Sequence, residues 1–330
     1  MAIYGTVYTT TSTSGGWGNQ PYMRRLWYAA GLYWAFYGDD TNLYFRTSAD
    51  GSTWSSSTVI TSSATIKQSS HLATWVGGTT LHYATGGARY MYYRQGTLNS
   101  DGTITWADAE QTAYDSASAT WPARPHGIVL DNSGYAYIVF YTESGINSYQ
   151  KVTSADVSGG VWTVRDGFPY DLKWVALSAP FRQGFIVPLS SGGIYAGSVS
   201  GNTAIGRAYT GVSWGDEETI TTNVSLNVYT DSVVAIGNVV YFSYLSNDST
   251  GQKCEIRSAA GSWSNTTIFT PSSTLFTVSL TVVGSDVYAV WFNLTTDLLY
   301  FKIFSAGAWG STITWLDETT DTLRNDLTAI

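Results

Sequence analysis

Seven residues spread along the chain have the chemistry of a polar-ligand site: Arg24, Arg25, His71, Arg124, His126, Trp174 and Asn227. Arginine and asparagine are forked donors for hydroxyls or a carboxylate, histidine adds a donor and an acceptor, and an indole offers a flat face to the C–H side of a sugar ring. Together they suit a polar, partly charged glycan. They do not suit a metal, because His71, His82 and His126 show no His-x-x-x-His spacing and a lone Cys254 makes no Cys-x-x-Cys pair. Gly86-Gly87 and Gly192-Gly193 are hairpin glycines with no helix behind them to receive a phosphate. These patterns predict no catalytic residue, no metal and no cofactor.

The composition sets the class of partner. The chain has 330 residues and a net charge of −8, with 16 Lys plus Arg against 24 Asp plus Glu, so no basic excess is available to neutralise phosphates. Nucleic acid is excluded on that ground. No stretch of about 20 apolar residues is present, so no membrane insertion is expected. The opening run Met1-Ala-Ile-Tyr-Gly-Thr-Val-Tyr8 has neither a basic nor an apolar region of a secretory signal. Four sequons, at Asn223, Asn247, Asn265 and Asn293, are what a Ser/Thr-rich chain generates by chance.

The elements that position the seven residues are strands. Gly, Ser and Thr abound, and the apolar positions carry Tyr, Trp, Val and Ile, which fit a pleated surface better than a helix. Trp54, Trp106, Trp162, Trp214, Trp263 and Trp309 recur with gaps of 52, 56, 52, 49 and 46 residues, most of them preceded by a Ser-led turn. Each repeat of about fifty residues holds four strand-like runs, and four antiparallel strands per repeat describe a β-propeller blade. The reading is therefore an all-β, single-domain propeller over 1–330. Its six blades span 22–62, 69–113, 124–168, 173–222, 226–270 and 275–317, with terminal strands 2–10 and 321–330 at the closure. A seventh blade shared between the termini is the alternative. In this arrangement the seven candidate residues stand at the starts of innermost strands, around one mouth of the central channel.

Ser48-Ala-Asp50-Gly51-Ser-Thr-Trp54, and more loosely Ser154-Ala-Asp156 through Trp162, resemble the Asp-box, or bacterial neuraminidase repeat, of sialidase-like propellers. In such a turn the carboxylate accepts backbone N–H groups, Gly permits positive φ and Trp packs between strands, so the resemblance implies fold-making roles for these residues. It also implies a sialidase's equipment: three arginines on a substrate carboxylate, a Tyr nucleophile activated by Glu, and an Asp acid/base. Tyr22-Met-Arg24-Arg25 resembles the family's first arginine motif, and Arg124, Arg182, Arg207 and Arg257 are the remaining candidates for the clamp. No segment presents the Tyr and Glu pair.

The expectation is a non-enzymatic recognition or structural propeller that binds glycan, or a cell-surface or virion protein, in an extracellular or virion-associated setting. Two alternatives stand beside it. One is a sialidase-like glycoside hydrolase. The other is a six-bladed lectin similar to the fucose-binding type, whose sugars sit between blades on an Arg, a Glu and a Trp.

Overall fold

A computed structural model describes residues 25–38, 42–62, 72–145, 147–176, 181–225, 232–248, 251–270, 278–293 and 298–317. Arg24, His71, Asn227 and the proposed closing strands 2–10 and 321–330 lie outside these residues. The described chain contains strands and turns and no helix.

Two compact units are present. In the first, β1 (Leu26–Ala29), β2 (Leu32–Gly38), β3 (Asn42–Ser48) and β4 (Thr58–Ser62) form one sheet in sequence order. The second sheet holds β5 (Leu72–Gly77), β6 (Thr80–Gly86), β7 (Tyr90–Leu98), β8 (Ile104–Trp106) and β9 (Gln111–Asp115). The third holds β10 (Ala123–Leu130), β11 (Tyr135–Ser144), β12 (Asn147–Asp156), β13 (Thr163–Val164) and β14 (Tyr170–Ala176). The other unit repeats the plan. Its first sheet is β15 (Phe181–Pro188), β16 (Ile194–Ser200), β17 (Thr203–Tyr209) and β18 (Glu218–Thr221). Next come β19 (Ser232–Ile236), β20 (Val239–Leu245), β21 (Gln252–Arg257) and β22 (Trp263–Phe269). The last sheet is β23 (Val278–Val283), β24 (Asp286–Asn293), β25 (Leu298–Ser305), β26 (Ala308–Trp309) and β27 (Ile313–Asp317).

All six sheets are antiparallel four-stranded meanders, with the fourth strand broken in two in the second, third and sixth. This is the blade pattern of a six-bladed β-propeller.

The outer strand of every blade carries one bulge, and the residue it leaves unpaired is apolar: Ile60, Ala113, Leu172, Ile220, Ile268 and Trp315. A bulge adds twist to an edge and turns one side chain aside from the ladder. Here it sends Ile60, Ala113, Leu172, Ile220 and Ile268 into buried positions, where Ile or Leu contributes about 1.5–3 kcal/mol of transfer free energy. Clusters joining neighbouring sheets of one unit hold the blades together, for example Tyr93 and Ala113 of the second with Ile138, Phe140 and Trp162 of the third. The second and third blades come close together at Gly86, where a Cβ would lie 1.8 Å from the backbone oxygen of Ala123.

The six repeated tryptophans all occupy the connection or start between third and fourth strands. They reach other rings at 4.8 Å (Trp162 to Tyr93), 5.8 Å (Trp263 to Tyr195) and 5.2 Å (Trp309 to Phe304). The boundary read for the third blade needs correction. Asp166-Gly167 and Pro169 interrupt its fourth strand, and pairing with β12 resumes at Tyr170–Ala176. Residues 170–176 therefore close the third blade, and the fourth begins at Phe181.

Candidate functional site

Arg25 precedes β1 and is half-buried, with its carbonyl accepting the Phe36 N–H at 2.8 Å. Arg124 and His126 share β10, where His126 is the extra residue of a bulge between Pro125 and Gly127. His126 is buried. Burial, aided by the Arg124 charge, lowers its pKa to about 3, so it is a neutral interior imidazole rather than a ligand-facing acid. Arg124 stands opposite Tyr141 with Cζ 5.9 Å from the ring centroid, and it makes no side-chain hydrogen bond among the described residues.

Trp174 does not belong with them. It lies on β14, three strands across the sheet from β10, or roughly 14 Å at ordinary strand spacing. It also points to the other face, being register partner of Tyr149, whereas Arg124 aligns through Tyr141 with Gln150. The apolar run Trp174-Val-Ala-Leu reads as a new inner strand. It is an outer one because the break at 165–169 uses up residues without ending the blade.

The setting of Trp174 is nevertheless unusual. Two residues past the apolar bulge, the other five blades carry Ser62, Asp115, Thr222, Thr270 and Asp317. The third blade alone places an indole there. It is 61% exposed, and no aromatic ring or hydrogen-bond partner covers it among the described residues. Trp106, by contrast, lies beneath the Arg94 guanidinium at 4.2 Å. On the same face as Trp174 are Tyr149 and an ion pair between Lys151 and Asp171, with Lys151 Nζ 4.8 Å from the Tyr149 centroid. Tyr149, Lys151 and Asp171 went unnoticed in the sequence, although aligning the fourth strands on their bulged apolar residue isolates Trp174.

A second constellation lies on the opposite face. Tyr141 donates a hydrogen bond to Glu143, and the Ser148 hydroxyl is 3.4 Å from the Tyr141 hydroxyl. The Tyr and Glu pair that no segment presented is thus present at i and i+2 of β11, a spacing that shares a face only in a strand. Burial and then the Glu143 carboxylate push the Tyr141 hydroxyl up to about 12.

Two of the arginines considered for a carboxylate clamp already have partners. Arg207 donates to the Gly215 carbonyl at 3.1 Å and pairs with Glu217 at 3.5 Å. Arg257 reaches from β21 to Glu218 on β18, with Nε 2.8 Å from Oε2 and Nη2 2.7 Å from Oε1. Glu218 also accepts from Trp263 Nε1 at 2.8 Å and from the Tyr195 hydroxyl at 3.1 Å. Four donors saturate this carboxylate, so the Arg, Glu and Trp that lie between blades make a clasp. The Arg182 side chain lies outside the described residues.

The Ser48–Trp54 turn closes as its residue types require. Ser48 Oγ accepts Gly51 N–H at 2.9 Å, Asp50 Oδ1 accepts Ser52 and Thr53 N–H at 2.8 Å each, and Gly51 has φ of +75°. The looser copy differs. Asp156 accepts Ser158 N–H at 2.9 Å, but Ser154 is buried within β12 and makes no side-chain bond to the turn. Gly211-Val-Ser213-Trp-Gly215 has the spacing of a nucleophile elbow. Ser213 lies in a strand-to-strand turn whose N–H bonds Thr210 Oγ1, and no helix follows it.

Comparison with known structures decides the fold. An ulvan lyase of a new polysaccharide-lyase family, bound to a GlcA–Rha3S saccharide, superposes with a TM-score of 0.54 at 8% identity, covering 90% of this chain and 84% of that one. The polysaccharide lyase Uly1 gives 0.53 at 10% identity, covering 95% and 83%. An AofleA mutant from Arthrobotrys oligospora with three arginines changed to alanine gives 0.51 at 11% identity, covering 97% and 95%. The chain is a β-propeller. No protein family and no curated protein sequence matches it, so an Asp-box family assignment for this propeller is not supported by sequence.

Proposed function

We propose that this propeller recognises glycan, through a surface of its third blade centred on Trp174. The observation that carries the reading is the uncovered indole at a position that is polar in the other five blades. Fold-building explains the buried tryptophans but not this one, since an exposed aromatic contributes little to stability and much to association. The flat ring would take the C–H face of a pyranose, while Lys151 donates to ring hydroxyls and Asp171 accepts from them. A saccharide-bound propeller among the similar structures agrees with this ligand class. An extracellular or virion-surface setting belongs to the same proposal and rests on composition.

The experiment is a glycan array, with sialic-acid and fucose titrations, run on the wild type and Trp174→Ala. Selective binding that the variant loses supports the reading. Flat responses throughout point instead to protein–protein assembly.

One observation favours a second reading, a sialidase-like glycoside hydrolase: the Tyr141–Glu143 hydrogen bond beside Arg124. Against it, Tyr141 is buried and its hydroxyl is held protonated. Release of fluorophore from a fluorogenic sialoside between pH 4 and 8, lost in Tyr141→Phe, would establish it; no release removes it.

A further inference from the structure

We infer that the Trp174 surface extends to Tyr114 of the second blade and selects an uncharged sugar ring against an acidic one. The inference rests on the glycan reading above and adds a specificity-determining residue and the charge of the ligand. Its basis is the register of the third blade. Thr142, Tyr149 and Trp174 are direct cross-strand partners on β11, β12 and β14, and Phe140, Lys151 and Asp171 are partners in the neighbouring row. Directly opposed residues share a face of the sheet. These six side chains therefore line one surface.

That surface is the one turned towards the second blade. Phe140 belongs to the apolar cluster that the two blades share, and Tyr114 of β9 packs against that cluster from the second blade. The Tyr114 and Phe140 ring centroids are 4.6 Å apart. Trp174 stands two strands beyond β11, roughly 10 Å at ordinary spacing, with the half-buried Tyr149 ring between. Tyr114 is thus a wall, Tyr149 a floor and Trp174 an open face, a setting for one sugar ring. Burial raises the Tyr114 pKa, so its hydroxyl stays protonated and can both donate to and accept from a sugar hydroxyl.

The charge preference follows from how the ion pair is set. The Lys151 side chain is 16% exposed and that of Asp171 49%. Lys151 lies between the Tyr149 ring, 4.8 Å from its centroid, and the Asp171 carboxylate. The cation is enclosed and already paired, and the carboxylate is the charge that meets solvent. A ligand carboxylate or sulfate brought there faces a like charge, and among the described residues this surface has no unpaired cation to offset it. Ring hydroxyls donate to Asp171 without that cost. The net charge of −8 acts in the same direction.

The test is calorimetric titration of the full chain, at low and at physiological ionic strength, with saccharide pairs that differ only at C6. These are gluco- against glucurono-, galacto- against galacturono- and manno- against mannurono-oligosaccharides. A neutral member should bind at least tenfold more tightly than its acidic partner, and Asp171→Asn should shrink that ratio to threefold or less. Tyr114→Phe keeps the ring on Phe140 and removes only the hydroxyl. It should weaken neutral binding at least fivefold with an unchanged melting temperature. Equal or tighter binding of the acidic members, or array hits confined to sialylated, sulfated or uronate glycans, overturns the charge assignment. Full affinity in Tyr114→Phe overturns the extension to the second blade. In either case loss of binding in Trp174→Ala leaves the glycan reading standing, whereas absence of binding to every pair, together with a flat array, overturns both.

Discussion

Arg257 and Glu218 form a two-pronged ion pair between neighbouring blades, and the same carboxylate is the acceptor for Trp263 and Tyr195. In the first unit an amide has the corresponding role. Gln111 Nε2 donates to the Gly160 carbonyl at 2.7 Å, and Gln111 Oε1 accepts the Trp162 N–H at 2.7 Å. In both units, then, a polar residue at the start of one blade's outer strand holds the tryptophan turn of the next. Burial raises the Glu218 carboxyl, but the donors from Arg257, Trp263 and Tyr195 outweigh it and the net shift is downward. Its contribution is accordingly present above the ordinary glutamate pKa and lost as pH falls below it.

Removing one partner of this clasp should cost more than removing both. Glu218→Gln is expected to destabilise the chain by about 2 kcal/mol, because it leaves Arg257 without a counter-charge. In urea melts, a Glu218→Gln, Arg257→Met double mutant should recover part of the loss. Strict additivity of the two single changes would show that the pair is not coupled.

Acid should unfold the protein through its buried imidazoles. His82 is buried and shares a 2.7 Å hydrogen bond with the Tyr93 hydroxyl, and burial lowers its pKa to about 4. With a folded pKa below the unfolded 6.5, the unfolded state binds the proton more readily. The contribution is complete above about pH 6.5 and fades towards pH 4, a loss of about 3 kcal/mol. His82→Gln should flatten this limb in melting temperatures taken from pH 7 to pH 4, and an unchanged slope would refute the assignment.

Gly86→Ala should be among the most damaging single-methyl changes. The added carbon would meet the Ala123 backbone oxygen and also Pro125 Cδ at 2.8 Å, and neither belongs to a flexible side chain. A loss of about 2–3 kcal/mol or outright failure to fold is expected. Wild-type stability would mean that the second and third blades approach less closely there.

Fold and recognition should separate at two exposed residues. Asp50→Ala removes the acceptor of two backbone N–H bonds, which hold its carboxyl below the usual aspartate range through Thr53 and Ser52. It should lower the melting temperature slightly and leave glycan binding intact. Trp174→Ala should do the reverse, shifting stability by no more than about 0.5 kcal/mol while removing binding. A stability loss at Trp174 equal to that of a core tryptophan would make it a packing residue.

The strands, the six blades and the shared position of Trp54, Trp106, Trp162, Trp214, Trp263 and Trp309 were all legible in the sequence. Each depends on local signals: alternation along a strand, turn residues such as Asp50-Gly51, and a repeat period. Local turn chemistry also accounts for Ser48 and Asp50. What the tertiary structure alone decided is which side chains share a face. A one-residue bulge at Leu172 reverses every side chain beyond it, and a break at 165–169 moves Trp174 from the start of one blade to the edge of another. Register across strands and packing between sheets are set by contacts far apart in the chain. Lys151 and Asp171, twenty positions apart, therefore could not be read as neighbours, nor Arg257 as the occupied partner of Glu218.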